Sequence, residues 1–261
     1  MDAKVTAPKL RAMKGGDQKI VCLTAYDYPS AWIADEGGVD LILVGDSLGN
    51  VVLGFPNTLS VTLEHMCHHT AAVARGVRRA LLIADLPFGA YNASPAQAMD
   101  SSVALVRAGA EGVKLEGDYG EAVALVVKAG VPVMGHLGFT PQSVHRFGGH
   151  RVQGKGSAAD RLVEAAKRLE DAGAFSLVLE LVPAETARLV TDAVSIPTIG
   201  IGAGPGCDGQ IQVFHDILGL EREAFRHAKK YVDGAGLFED GVRRYVGEVR
   251  GGQFPTAENS F

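Results

Sequence analysis

The sequence predicts an α/β protein built as a single (β/α)8 barrel, the TIM-barrel fold, over residues 1–261. The first observation is the length of 261 residues, close to the roughly 250 residues of one such barrel. The second is that short apolar runs alternate with helix-like stretches about eight times, a pattern that favours a closed parallel sheet. The third is that several of these runs end in an acidic residue, as at the functional face of a barrel.

Eight apolar runs are predicted as strands, and turn or helix signals separate them. The predicted strands cover residues 19–25, 41–45, 81–85, 112–116, 132–136, 175–181, 197–201 and 210–214. Most successive runs are separated by a helix-like stretch, so the strands are expected to be parallel and joined by crossover connections.

Capping and turn residues locate the helices. The predicted helices cover residues 28–36, about 62–77, 94–109, 121–130 and 184–193, with a C-terminal helical tail over about 221–250. Gly37-Gly38 ends the first of them, and Thr62 is the predicted N-cap of the second. Ser94-Pro95 begins the third, because proline is favoured in the first turn of a helix. The residues after 250 are predicted to be a loose end.

Composition excludes two classes of partner. The net charge is −5 and the sequence has no long basic block, so nucleic-acid binding is not expected. No apolar stretch reaches the roughly 18 residues of a membrane span, and the N-terminus lacks the apolar core of a secretory signal. The 3 cysteines are widely spaced, with no Cys-x-x-Cys pair, which favours reduced thiols in a cytoplasmic protein.

Charged residues stand at the ends of four predicted strands. They are Asp46, Asp85, Lys114 with Glu116, and Glu180. Because the C-termini of all strands in a parallel barrel meet on one face, these carboxylates are expected in one small volume. Clustered carboxylates repel each other unless a cation lies among them, and oxygen ligands suit a hard ion such as Mg²⁺. A single aspartate at a strand end could instead cap the next turn, so the metal hypothesis depends on the whole set.

Several of these residues also have a structural interpretation. Lys114 and Glu116 are two apart and share one face of their strand, where Lys114 would either hold a substrate anion or form an ion pair with Glu116. Glu180 lies between apolar neighbours, which suits a general base, or it is paired with a cation. His136 ends the fifth strand and is either the imidazole of the site or a structural histidine.

Two further motifs are interpreted as structural. His65, His68 and His69 share a helical face, but the sequence lacks His-Glu-x-x-His, so surface or interface histidines are favoured over a zinc site. The glycine-rich run over 200–206 superficially resembles a dinucleotide loop, but no suitable βαβ unit follows it. It is either a phosphate-gripping turn or a plain tight turn.

The segment over residues 137–156 is unusually long for a connection between a barrel strand and its helix. Long loops in compact domains are often functional lids. A subunit contact is the alternative, and the sequence leaves both open.

A series of short motifs runs through the chain from about residue 20 to residue 219. They are LTAYD at 23–27, VGDSLG at 44–49, ADLPFG at 84–89, VKLEG at 113–117, GHLGFTPQ at 135–142, FGG at 147–149, VQG at 152–154, LE at 179–180, IGIGAG at 199–204, CDGQ at 207–210 and HD at 215–216. With these motifs in this order, the chain resembles the ketopantoate hydroxymethyltransferase (3-methyl-2-oxobutanoate hydroxymethyltransferase) family. So many motifs in the same order make the resemblance specific.

The resemblance implies a Mg²⁺-dependent barrel enzyme of pantothenate and coenzyme A biosynthesis. Such an enzyme joins the one-carbon unit of 5,10-methylenetetrahydrofolate to 3-methyl-2-oxobutanoate through a Mg²⁺-stabilised enolate and gives 2-dehydropantoate. One Mg²⁺ per subunit and a homo-oligomer, commonly a decamer, are also implied. The implied roles are metal ligands for Asp46 and Asp85, a further metal-site carboxylate for Glu116, substrate contacts for Asp46, Ser47, Asp85, Lys114 and His136, and proton acceptance for Glu180.

Two alternatives remain open at the level of the sequence. A Mg²⁺-dependent oxoacid lyase or mutase of the phosphoenolpyruvate-mutase type also uses such a barrel, but its Lys-Lys-Cys-Gly-His loop is absent from the sequence. The other is a catalytically silent barrel that serves as an assembly or regulatory subunit. The intact set of acidic residues argues against it.

Overall fold

The computed structural model describes residues 3–221 and 225–261. Its strands form a closed parallel barrel in chain order, which confirms the predicted (β/α)8 fold. The strands are β1 Ile20–Thr24, β2 Leu41–Val44, β3 Leu81–Asp85, β4 Gly112–Glu116, β5 Val133–Gly138, β6 Ser176–Glu180, β7 Thr198–Ile201 and β8 Gly209–Gln212. Parallel pairing of β8 with β1 closes the barrel.

Apart from α1, which precedes β1, the helices of this part of the chain lie between these strands. They are α1 Ala7–Arg11, α2 Tyr28–Glu36, α3 Leu48–Val51, α4 Leu63–Ala74, α5 Pro95–Arg107, α6 Gly120–Lys128, α7 Val144–Phe147, α8 Ala158–Asp171 and α9 Ala184–Ala193, with 3-10 turns at Thr58–Ser60 and Pro141–Ser143. The predicted cap at Thr62 is confirmed, because its side chain accepts a hydrogen bond from the His65 N–H. Ser94 caps α5 in the same way, with Pro95 in the first turn.

Apolar packing closes the end of the barrel at which the strands begin. Leu41, Leu81 and Ile83 belong to a buried cluster that also contains Val5 and Leu10 from the segment before β1. The Val5 N–H donates to the carbonyl of Arg79, just before β3, at 2.8 Å. Burying one Leu or Ile side chain contributes about 1.5–3 kcal/mol. With this end filled by apolar groups, the polar interior groups lie towards the other end.

From Phe214 to Phe261 the chain forms a second compact unit, with α10 Phe214–Leu218 and α11 Gly234–Arg250. The predicted helical tail over about 221–250 is wrong for residues 225–233, which are not helical, while residues 222–224 lie outside the described part. In this segment the Tyr231 N–H donates to the carbonyl of Ile217 in α10 at 2.8 Å. The single-domain interpretation of residues 1–261 stays a prediction.

No helix among residues 3–221 and 225–261 is both long and apolar enough to cross a membrane.

Candidate active site

The charged residues predicted for the site lie together where the strands end. Pairing of neighbouring strands places Asp85 beside Lys114, Glu116 beside His136 and Glu180 beside Gly138. Five of the groups are buried, with 2% to 4% of their surface exposed; they are Asp46, Asp85, Lys114, Glu116 and His136. Glu180 is partly exposed. Neighbouring strands from β2 to β6 therefore gather these groups into one cluster, as closure of a parallel barrel requires.

The Lys114 ammonium pairs with Asp85. Its Nζ lies 2.6 Å from Asp85 Oδ1, and the backbone N–H of Asp46 donates to Asp85 Oδ2 at 3.0 Å. Burial alone would lower the pKa of Lys114, but the surrounding carboxylates outweigh it and raise that pKa above its usual value. The ion pair between Lys114 and Glu116 that the sequence left open is not found among the described residues.

His136 lies between two carboxylates. Its Nδ1 is 3.4 Å from Glu116 Oε1 and its Nε2 is 3.3 Å from Glu180 Oε2. Burial and the nearby Lys114 ammonium disfavour the charged imidazolium, but Glu116 and Glu180 outweigh them and raise the pKa of His136 to about 9. His136 is therefore a cation at neutral pH. It links the predicted base Glu180 to Glu116 in the interior of the cluster.

Asp46 is the carboxylate whose charge is least compensated by protein groups. Burial raises its pKa well above the usual value, and repulsion from Asp85 and Glu116 adds to this effect. Its Oδ2 accepts a hydrogen bond from Gln142 Nε2 at 2.8 Å. Burial also raises the pKa of Asp85, although Lys114 acts in the opposite direction. A cation near Asp46 and Asp85 would relieve both the desolvation and the repulsion.

The carboxylates of the cluster suit a divalent cation that takes its remaining ligands from substrate and water. Four carboxylates and two cationic side chains leave the cluster with excess negative charge. Asp85 Oδ1 and Glu116 Oε1 are buried and have no hydrogen bond of acceptable geometry within the described part of the chain. In that part, no group of three or more His, Cys, Asp or Glu side chains is arranged to hold a metal by itself. A site of two carboxylates completed by substrate and water remains consistent with these observations.

Ser47 begins the turn that leads into α3. Its Oγ lies 2.8 Å from the Tyr26 hydroxyl. A Cβ on Gly45 would lie 2.7 Å from Ser47 Oγ and 3.6 Å from Asp85 Oδ2. Glycine at this position therefore leaves room for the Ser47 hydroxyl, which a Cβ would contact too closely.

The structure thus brings together all seven residues predicted for the site, and their individual roles stay predictions. Sequence reasoning missed Gln142 and Tyr91, which are buried in the same cluster and joined by a hydrogen bond of 2.6 Å. Gln142 stands in the motif over 135–142, but it follows β5 by four residues. A rule that inspects only strand ends does not find it.

The histidines of α4 form no metal site in the described structure. His65 completes the capping box of α4, and His69 Nδ1 lies 2.6 Å from the Tyr26 carbonyl. The glycine-rich run contains a turn in which Gly204 has φ +77° and its carbonyl accepts from Gln210 Nε2 at 3.0 Å. These contacts agree with structural roles for His65 and His69 and with a tight turn in the glycine-rich run, whose phosphate-gripping alternative stays open.

Fold and cluster together define a (β/α)8-barrel enzyme with its acid–base groups at the ends of the strands. The family model described as ketopantoate hydroxymethyltransferase matches residues 4–257. The chain belongs to the ketopantoate hydroxymethyltransferase family.

Relatives of nearly the same length support this membership. A protein of Aeropyrum pernix is 56% identical over 259 residues, which cover 98% of this chain and 94% of that protein. One of Carboxydothermus hydrogenoformans is 50% identical over 263 residues, covering 99% and 95%. Both are named 3-methyl-2-oxobutanoate hydroxymethyltransferase. The family resemblance inferred from the motifs is confirmed.

Solved structures of lower identity share the fold. Oxaloacetate acetylhydrolase superposes with a TM-score of 0.62 at 18% identity, covering 97% of this chain and 100% of that one. Phosphonopyruvate hydrolase gives a TM-score of 0.61 at 14% identity, covering 98% and 91%. These likenesses show the barrel alone, so they do not favour the lyase or mutase alternative over the family assignment.

Proposed function

We propose that the chain adds a hydroxymethyl group to 3-methyl-2-oxobutanoate and forms 2-dehydropantoate, with 5,10-methylenetetrahydrofolate as the one-carbon donor. Family membership supports the acceptor and the reaction class. The observation that carries the mechanism is the buried array in which Glu180 contacts His136, His136 contacts Glu116, and an Asp85–Lys114 pair lies alongside. Such an array can hold a small anion and move a proton beside it.

One Mg²⁺ per subunit would be held by Asp46 and Asp85, with Glu116 as a further carboxylate nearby. Support comes from the raised pKa of both aspartates, since burial and the neighbouring carboxylates disfavour their negative charge in the absence of a cation. Mg²⁺ is commonly bound by one or two carboxylates together with substrate and water. When bound, the cation would polarise the keto group of the acceptor and stabilise the negative charge that develops on it.

The side chains of the cluster then have distinct tasks. Lys114 and Ser47 hold the carboxylate of the ketoacid. Glu180 takes the proton from C3, and His136 keeps the Glu180 carboxylate in place through the 3.3 Å contact. C3 forms the new carbon–carbon bond with the one-carbon unit, whose two bonds to the donor nitrogens break. Water supplies the hydroxyl oxygen of the product, and tetrahydrofolate leaves with the protons.

A cavity of about 520 Å³ adjoins the cluster, and we propose that it accepts the donor. Its lining includes Glu116 and Gln142, the aromatic side chains of Phe88, Tyr119 and Phe147, and the guanidinium groups of Arg146 and Arg161. The volume lies within the range of small-molecule sites. Aromatic walls suit a planar ring system, and the two guanidinium groups, which form no ion pair in the described structure, suit the carboxylates of a glutamate tail.

Part of the lining of this cavity comes from the long segment over residues 137–156. The segment contributes a 3-10 turn, α7 and the following loop to the lining. A functional loop over the site is therefore our preferred interpretation, with a subunit contact as the alternative.

The purified protein tests the proposal directly. With ketoacid, Mg²⁺ and donor it should form 2-dehydropantoate, and without donor it should exchange the C3 proton for solvent deuterium. A chelator should stop both reactions, and Mg²⁺ should restore them. Absence of exchange and of product under these conditions would overturn the proposed function.

Lys114→Met is expected to weaken ketoacid binding by about tenfold or more, because a desolvated charge pair with a ligand is worth about 2–5 kcal/mol. Titration calorimetry with the ketoacid measures the effect. Asp85 loses its ion-pair partner in this variant, so the melting temperature is recorded in parallel. If the variant melts earlier but binds ketoacid as tightly as the wild type, Lys114 serves only to neutralise Asp85.

The double substitution Arg146→Ala with Arg161→Ala is expected to raise the KM for the donor by about tenfold or more, since charge-assisted hydrogen bonds are lost. Exchange of the C3 proton, measured without donor, should stay unchanged. Arg188→Ala on α9, an exposed arginine near Asp192, is the matched control. A wild-type KM for the donor in the double variant would place the donor elsewhere and favour a subunit contact for residues 137–156.

We also infer a cytoplasmic homo-oligomer, for which the resemblance implies a decamer. The described cysteines are free thiols, which suits a reducing compartment. On α11, Leu237, Phe238 and Val242 are more than 60% exposed, and exposed apolar clusters of this kind mark interaction surfaces. Sedimentation velocity of the full chain measures the state.

A further inference from the structure

We infer that Gln142 is a positioning residue of this enzyme, which orients Asp46 and ties it to Glu116. The inference rests on the proposed function, because it concerns how the metal-site carboxylates are held. No step of the reaction described above uses Gln142. Its side chain is 6% exposed, although it lies in a turn outside the barrel strands.

The amide of Gln142 has only one orientation that satisfies its neighbours. The Nε2 group donates to Asp46 Oδ2 at 2.8 Å and to the Leu86 carbonyl at 3.0 Å. Both partners are acceptors, so the nitrogen must face them. On the other side, the Tyr91 hydroxyl donates to Oε1 at 2.6 Å. The Tyr91 hydroxyl also lies 3.1 Å from the Glu116 carbonyl, and when it donates to Oε1 it supports the orientation that the two acceptors require.

The backbone of the same residue holds a second carboxylate. The Gln142 N–H donates to Glu116 Oε2 at 3.0 Å, and the Glu116 N–H donates to the Tyr91 hydroxyl at 3.2 Å. Pro141 precedes Gln142 in a 3-10 turn, and the fixed φ of this proline restricts the turn. One turn thus connects Asp46, which follows β2, with Glu116, which ends β4.

A neutral donor at this position has a specific consequence for Asp46. The hydrogen bond occupies Oδ2, and Oδ1 accepts no hydrogen bond from the described residues. An amide fixes the carboxylate plane without adding positive charge, whereas a lysine would compete with a metal ion. Gln142 therefore keeps one oxygen of Asp46 available in a defined direction and leaves its negative charge to the cation.

Gln142→Met tests this inference, because methionine has a similar length and cannot form the hydrogen bonds. At saturating Mg²⁺ the rate of C3 proton exchange should fall by about tenfold or more, the loss expected when a hydrogen bond to a charged group is removed. The affinity for Mg²⁺ alone, titrated calorimetrically without substrate, should also fall. The KM for the ketoacid should change by less than about twofold, since Gln142 forms no hydrogen bond with Lys114 or Ser47, the residues proposed to hold the ketoacid carboxylate.

Two further variants make the test specific. Tyr91→Phe keeps Gln142 but removes the hydroxyl that bonds its amide, so the exchange rate and the Mg²⁺ affinity should both fall, by a smaller factor than in Gln142→Met. If Gln142→Met does not fold, Tyr91→Phe serves as the test. Gln97→Glu, on α5 and outside the cluster, should behave as the wild type. A wild-type exchange rate or a wild-type Mg²⁺ affinity in the folded Gln142 variant overturns the inference. Loss of exchange in the wild type itself would instead contradict the proposed function.

Discussion

Asp46→Asn is expected to abolish turnover and C3 proton exchange without lowering the melting temperature of the metal-free protein. The asparagine side chain has the same shape, and its oxygen can still accept the hydrogen bond from Gln142. It carries no charge, so the repulsion from Asp85 and Glu116, which adds to the effect of burial on the Asp46 pKa, disappears. Function and stability should therefore separate at this residue.

Asp85→Asn provides the contrast. It should also abolish exchange, but it leaves the buried Lys114 ammonium without its partner at 2.6 Å. Removing one member of a buried ion pair typically costs about 3–5 kcal/mol, so the melting temperature should fall. Calorimetric unfolding of both variants and of the wild type, each with chelator and with Mg²⁺, measures the difference.

Two results would contradict the assignment of Asp46 as a metal ligand. If Asp46→Asn exchanges the ketoacid proton at the wild-type rate, or still shows the full stabilisation of the wild type by Mg²⁺, Asp46 does not hold the cation. The cluster would then be an ion-pair network whose excess charge has another function.

Glu180→Gln is expected to lose both C3 proton exchange and product formation while it still binds Mg²⁺ and the ketoacid. Glutamine keeps the size of the side chain but cannot accept the proton, and removal of this proton precedes attack on the one-carbon donor. Because Glu180 contacts His136 and not the two aspartates, the metal site should stay intact. Hydrogen–deuterium exchange followed by NMR measures the chemical step, and calorimetry measures both binding constants.

Glu185→Gln is the matched control, because it makes the same change in the first turn of α9, outside the cluster. It should exchange and turn over as the wild type does. If Glu180→Gln exchanges at the wild-type rate, His136 or a water molecule becomes the better base, and Glu180 serves to orient it. Loss of Mg²⁺ binding in this variant would instead make Glu180 a metal ligand.

Some contacts of the site depend on how neighbouring strands pair, which the sequence does not show. The sequence allows an ion pair between Lys114 and Glu116, because they share a strand face, yet Lys114 pairs with Asp85. Along a strand, residues two apart are separated by about 6.6 Å, whereas neighbouring strands lie about 4.8 Å apart. The residue opposite on the adjacent strand is therefore the nearer partner, and strand register decides which residue that is.

The sequence by itself determined the closed barrel and the place of Asp46, Asp85, Glu116 and Glu180 in one cluster. Buried parallel strands read as apolar runs, and barrel closure leaves their C-terminal ends no other arrangement than a common face. The family followed from motifs spread over most of the chain. These features follow from local patterns and from the rule that the strand ends of a parallel barrel share one face. The sequence was therefore sufficient to predict them.

Only the tertiary structure decided the partners within that cluster. Gln142 comes from a turn after β5 and Tyr91 from a loop after β3, and no periodicity marks either residue as part of the site. In the second unit, residues 225–233 look helical by composition, but the Tyr231 N–H donates to the Ile217 carbonyl of α10. In the site, hydrogen bonds between segments distant in sequence outweigh local preference, because buried donors and acceptors must be paired wherever the chain brings them.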